Sequence, residues 1–195
     1  MKKLTLLALI ALTAHTTLRA QLTKQSWMVG GSIAFTSATN TQTFGGVTST
    51  LFSITPKAGY FIIDRLAAGV SVAAAFSHYH YNSQPNPQTF NSSIYGIGPF
   101  VRYYFLPTQK PTNILVEVYD LYSTNTATGN SNTHTNEYGF AAGPAFFLSP
   151  SVALELTLGY YWDKGPTAYP TTPTTHTFKT ALGFQVYLPG KHHKA

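Results

Sequence analysis

Residues 137–162, EYGFAAGPAFFLSPSVALELTLGYYW, constrain the fold of this chain more than any other stretch. Every second residue from Tyr138 gives Phe140, Ala142, Pro144, Phe146 and Leu148, an apolar row. The residues between, Gly139, Ala141, Gly143, Ala145 and Phe147, are mostly small. After a tight turn the pattern repeats. Val152, Leu154, Leu156, Leu158, Tyr160 and Trp162 line one face, and Ala153, Glu155, Thr157, Gly159 and Tyr161 the other. A period of two is the signature of a β-strand. In a soluble sandwich the large residues point to the core and the charges to water. In a membrane barrel the large residues point to lipid and the small or charged ones fill a narrow lumen.

The N-terminus bears on which case applies. Lys2 and Lys3 precede a short apolar run, residues 4–12, and small and polar residues follow to Leu18-Arg19-Ala20. This is the pattern of a secretory signal peptide over 1–20, cut between Ala20 and Gln21. The run is far shorter than the ~20 residues of a spanning helix. Lys2, Lys3 and Arg19 leave with it, so the formal charge of +6 falls to +3, and no nucleic-acid partner is expected. The chain has no cysteine, which removes disulfides and a lipidated cysteine from consideration. Charged residues are 9% of the chain, well below the roughly 25% of soluble domains. An exported, weakly charged, aromatic-rich chain of alternating strands fits a transmembrane barrel.

The pass along the chain gives eight strands, near 26–35, 50–61, 66–80, 93–105, 114–122, 137–148, 152–162 and 177–188. Polar stretches at 38–48, 81–91, 123–136 and 163–175 alternate with short turns near 62–65, 106–112 and 149–151. Pro85 and Pro87 exclude regular structure in the second of these loops. The expected fold is all-β: an eight-stranded antiparallel up-and-down transmembrane β-barrel over 21–188, with a short periplasmic tail at 189–195. Long loops on one side and short turns on the other place the loops outside the cell and both termini in the periplasm.

Two features strain this reading. Thr55-Pro56, Gly98-Pro99 and Gly143-Pro144 recur inside strands, spaced 43 and 45 residues apart. Proline lacks a ladder donor, so local bulges are expected at all three. Asp120 falls on the outward face of the fifth strand, which predicts that it lies near the headgroups or that a bulge turns it inward.

The segments SITPKAGYFIIDRLAAGVSV, YGIGPFVRYYF and GFAAGPAFFLSPSVALELTLGY, with the terminal LGFQVYL, resemble the small eight-stranded outer-membrane β-barrel proteins of Gram-negative bacteria. The resemblance covers 21–188 and specifies no activity. It implies insertion from the periplasm by the barrel-insertion machinery, outer-membrane lipids as surroundings and a monomeric state.

The inward charges are the most informative constellation. Lys57, Arg102, Glu117 and Glu155 lie a few residues from the short turns, and Lys179 points inward higher up. An eight-stranded barrel is just wide enough for its side chains to fill it. Charges there must pair, because an unpaired buried charge costs several kcal/mol. A salt-bridged plug is the expected arrangement; a selectivity constriction in a porin-like channel is the alternative. Outward aromatics fall into a band near the turns (Trp27, Tyr60, Tyr103, Phe105, Phe146, Phe184) and one near the loops, which runs from Phe35 and Phe76 through Tyr95, Tyr122 and Tyr138 to Tyr160, Trp162 and Phe178. Such bands suit the two membrane interfaces. Tyr81, Phe90 and Tyr169 would be the rings available to stack on a carbohydrate.

Four histidines, His78, His80, His134 and His176, lie towards the loops without diagnostic metal spacing, and no metal or cofactor is expected. Ser77, His78 and Asp120 raise the further alternative of a membrane-embedded lipid-modifying enzyme, which geometry must decide. A soluble barrel holding an apolar ligand would require the large residues to face inward. The reading these observations favour is a non-enzymatic envelope and cell-surface barrel, its lumen plugged and its four loops open to an extracellular ligand.

Overall fold

The computed structural model describes residues 20–40, 46–81, 88–127, 133–165 and 174–190. Eight strands follow one another: β1 (Trp27–Asn40), β2 (Val47–Ile63), β3 (Leu66–Tyr81), β4 (Gln88–Tyr104), β5 (Thr112–Ala127), β6 (Thr133–Ser149), β7 (Val152–Lys164) and β8 (Thr174–Leu188). Each pairs antiparallel with the next, and β8 returns to β1 to close the barrel. The expected up-and-down barrel is the observed fold.

Alternation holds along every strand. Ile54, Val72, Ile97, Val118, Leu156 and Leu182 are all exposed on the outside, while Phe61, Phe100, Tyr104, Leu115 and Tyr187 are buried within. This distribution overturns the alternative of a soluble barrel with its large residues inside. The exposed surface is an apolar belt with aromatic edges. Trp27 packs on Tyr60 at 5.1 Å and Tyr103 on Phe105 at 4.9 Å towards the turns; Phe76 meets Tyr95 at 6.3 Å and Tyr138 stacks on Trp162 at 5.6 Å towards the loops.

The strands run further than the apolar pattern. Residues 38–40, 47–48, 81, 88–91, 123–127, 133–136, 163–164 and 174–175 were expected in loops and are strand instead. They are rich in Thr, Ser and Asn, which donate and accept along a ladder as well as apolar residues do. Thr in particular suits the pleated backbone. Above the aromatic edge both sheet faces meet polar surroundings, so the amphipathic signal fades while pairing continues. Pro85, Pro87, Tyr169, the signal segment before Ala20 and the tail from 191 lie outside the described residues.

The bulges expected at the prolines are absent. Pairing between β2 and β3 passes from Ile54↔Ala74 to Lys57↔Ser71 without a change of register. The same holds around Pro99, from Ile97↔Tyr122 to Phe100↔Tyr119, and around Pro144, from Ala142↔Leu158 to Ala145↔Glu155. Only the proline and the residue before it drop out of the ladder, as one missing N–H requires. On the other side each proline stays paired, with Gly31, Val70 and Ile114. The register shifts that do occur sit beside the turns, at Phe61/Ile63 and Phe147/Ser149.

Glycine serves a different purpose here. At Gly98 and Gly143 a Cβ would fall on the carbonyl oxygens of Asp120 and Leu156, so only glycine lets the neighbouring strand come this close as the sheet curls.

Asp120 is likewise not turned inward. It stays exposed on the outer face, opposite Pro99 in unbroken register and paired with Tyr138. Its height is that of the aromatic edge nearer the loops.

Residues 20–26 form more than a lead-in. Leu22 is fully buried across the turn end of the barrel. The segment is tied down by backbone bonds from Ala20 N to Thr108 O (2.8 Å), Gln21 N to Pro150 O (2.9 Å) and Arg65 N to Leu22 O (2.8 Å). Its partners are the three short turns, which it gathers into a floor.

Candidate functional site

The sequence places Arg102, Glu117 and Glu155 on inward positions of β4, β5 and β7, and cross-strand register sets Arg102 directly beside Glu117. Arg102 is the hub. Its Nη2 lies 2.7 Å from Glu117 Oε2 and its Nε donates to the same oxygen at 2.9 Å. Its Nη1 reaches across the lumen to both oxygens of Glu155, at 2.8 and 2.9 Å. The planar guanidinium fork presents N–H groups to both carboxylates in fixed directions, a geometry that the point charge of a lysine does not offer. Lys57 completes the group by pairing with Glu117. Two cations face two anions, all nearly inaccessible to solvent.

Polar neighbours add further hydrogen bonds to the Glu155 carboxylate, while Gln185 Oε1 is buried without a partner. Tyr104 Oη donates to Glu155 Oε1 (3.1 Å) and lies 2.8 Å from Tyr187 Oη, which itself reaches Glu155 Oε1 at 3.3 Å. Gln185 Nε2 donates to Glu155 Oε2 at 3.2 Å. Rings close the remaining space: Phe100 lies under both cations, with Lys57 Nζ 5.5 Å and Arg102 Cζ 6.0 Å from its centroid. Beneath this layer Phe61, Phe147 and Tyr187 pack together above Leu22. The lower lumen holds a charge-balanced group of buried side chains. Tyr104, Tyr187 and Gln185 also belong to the group; being uncharged, they are marked in the sequence only by their inward parity near the turns.

Lys179 does not join this network, contrary to the expectation of one shared cluster. It pairs with Glu137 higher in the lumen, and Tyr119 Oη donates to the same carboxylate. Its ammonium sits 4.8 Å from the Tyr161 ring, and Asp163, the cross-strand neighbour of Glu137, accepts from Thr177 Oγ1 at 3.1 Å. Glu137 was missed because it stands at the polar end of its strand, although its odd position on β6 matched the inward row. This upper cluster is more open: the Lys179 side chain is 34% exposed against 3% for Arg102.

The other candidates separate. Ser77 is buried on the lumen side and His78 is exposed outside, so consecutive residues of one strand point to opposite faces. Asp120 is two strands away on β5. No nucleophile–base–acid relay forms from these three. Each of the four described histidines is engaged locally: His78 Nδ1 with Asn91 Oδ1 (2.8 Å), His80 Nδ1 with Thr89 Oγ1 (3.3 Å), His134 Nδ1 with Thr124 Oγ1 (3.1 Å) and His176 Nδ1 with Tyr160 Oη (3.0 Å). Tyr81 and Phe90 pack edge to face at 5.6 Å beyond the belt.

Among solved structures the chain is similar to Neisserial surface protein A (NspA), with a TM-score of 0.49 and 18% identity, covering 84% of this chain and 97% of that one. No family model and no curated protein matches the sequence.

Proposed function

We propose that this chain is a non-enzymatic protein of the outer membrane, a closed barrel that displays its four longer connections to the exterior and keeps its turns in the periplasm. The observation that carries the reading is the filled lower lumen. An apolar, aromatic-edged belt outside supports residence in a bilayer, because each backbone group that faces lipid there must be satisfied within the barrel. The Arg102 core inside, floored by Leu22, supports a scaffold rather than a conduit. What the protein offers its surroundings is then its upper rim and loops, where binding residues commonly reside. Export rests on the signal peptide, cut between Ala20 and Gln21. Cleavage there gives up the Ala20–Thr108 bond, while Leu22 keeps its bond from Arg65 N and the new amino group of Gln21 lies beside the Pro150 carbonyl.

Cysteine labelling of whole cells tests this placement, since the natural chain has no cysteine. A membrane-impermeant maleimide should label Thr126→Cys, near the upper end of β5, on intact cells. It should label Gln109→Cys, in the β4–β5 turn, only after the envelope is opened. The opposite pattern, or labelling of both in a soluble periplasmic fraction, would contradict the reading.

A further inference from the structure

The seam that closes the barrel is incomplete. The β1–β8 ladder runs from Trp27↔Leu188 to Ile33↔Leu182 and stops, although β1 continues to Asn40 and β8 begins at Thr174. Over the same stretch β1 remains fully paired with β2, and β8 with β7. Ladder alternation assigns the free groups: the N–H and C=O of Phe35 and Ser37 on one edge, and of Phe178 and Thr180 on the other, point into the gap. The β1–β8 register gives none of the four a partner across the gap. Phe35 and Phe178, both 68% exposed, flank the gap on its outer side; no other large apolar residue described is more exposed.

Directly below the last β1–β8 pair lies an apolar groove of about 340 Å³, lined by Gly31, Ile33, Ile54, Pro56, Leu182 and Phe184 among others. Gly31, the one glycine on the outward row of β1, lies in its wall, where the Thr55 carbonyl of β2 comes within 2.7 Å of where a Cβ would stand. Ile33 and Leu182 adjoin both: they are the last pair of the seam and they line the groove. The gap opens at the aromatic edge of the belt, the level of lipid headgroups, and the groove runs down the face where acyl chains lie.

The nearby cations lean away from the gap. Lys179 is committed to Glu137 on β6, and Lys164 sits 5.2 Å over the Tyr138 ring, also on β6. An occupant therefore meets little net charge but a row of alternating donors and acceptors. An unpaired strand edge is a ready template for pairing, so a partner that offers both donors and acceptors is favoured.

We propose that this notch and groove form a binding site for one lipid of the surrounding outer leaflet, whose headgroup carries both a phosphate acceptor and hydrogen-bond donors. The headgroup pairs with the free edges of β1 and β8 between Phe35 and Phe178, and an acyl chain fills the Gly31 groove. The proposal rests on the membrane placement above, which cysteine labelling tests separately.

The test uses the mature protein folded into vesicles of phosphatidylcholine containing phosphatidylethanolamine, then taken gently into detergent for native mass spectrometry. The two lipids share the phosphate, but only phosphatidylethanolamine has ammonium donors. One phosphatidylethanolamine should be retained, several-fold in preference to phosphatidylcholine. In Ala34→Cys/Ala181→Cys, a disulfide that extends the ladder by one pair should abolish the preference, and reduction should restore it. Phe35→Ala/Phe178→Ala, at two exposed positions that leave the core untouched, should lower retention at least several-fold. Equal retention of both lipids, retention indifferent to the disulfide and to the double alanine variant, or a dimer joined through the free edges would overturn the proposal.

Discussion

Arg102 decides the character of the lumen residue by residue. It holds two carboxylates, so its loss strands both in a buried space, where an uncompensated charge costs about 3–5 kcal/mol. Arg102→Met should therefore lower unfolding free energy by about that amount, read by urea titration of the vesicle-bound protein. Adding Glu155→Leu restores one cation against one anion, Lys57 with Glu117. The double variant should recover a large part of the loss, and strict additivity would contradict the balanced-core account. Asp120 makes a contrasting case. It lies on the outer face at the aromatic edge, where a charge is tolerated within about 1 kcal/mol. Asp120→Asn should change stability by no more than about 1 kcal/mol in the same titration. A gain much beyond that would place Asp120 deeper in the hydrocarbon than its neighbours Tyr138 and Tyr122 imply.

At the scale of strands, the prolines and glycines show how a tight barrel tolerates residues that open sheets reject. Each interior proline gives up one ladder bond, towards β3, β5 or β7, and the register carries on. The inward glycine before two of them admits the neighbouring carbonyl at the point where the sheet curls. Gly143→Ala should then be destabilising by about 1–3 kcal/mol, an overpacking cost, measured by the temperature at which the folded gel band is lost. A neutral result would mean that β6 and β7 can part without penalty. Much of this architecture was legible in the sequence. Parity alone separates Phe100 and Tyr104 from Val101 and Tyr103, and the apolar rows locate each strand's belt. Three things were not legible, each for a physical reason. The polar ends of β1, β4, β5 and β6 carry no amphipathic contrast, so their pairing leaves no periodic trace. A proline predicts a lost bond but not whether the backbone bulges to accommodate it. Glu137 as the partner of Lys179 depends on their heights across β7, which only register fixes.

The whole molecule inverts the usual order of a soluble domain. Its apolar residues form the outside, its ion pairs the centre, and the segment at 20–26 a floor tied to all three turns. The closing strands meet along only part of their length, which sets the upper half of the seam apart from the rest of the wall. Charge balance within the lower lumen lets few charged residues fix the interior, and under the proposed function the barrel is a solid scaffold beneath an accessible rim. The most direct measurement of that claim is the conductance of single molecules of the mature protein, refolded in detergent and added to a planar bilayer. The account predicts stable insertion without discrete current steps, and steps only after Arg102 and Glu155 are both replaced by small residues. Reproducible steps from the natural sequence would contradict it, because ions could then pass a lumen that Arg102, Glu155 and Leu22 are held to close.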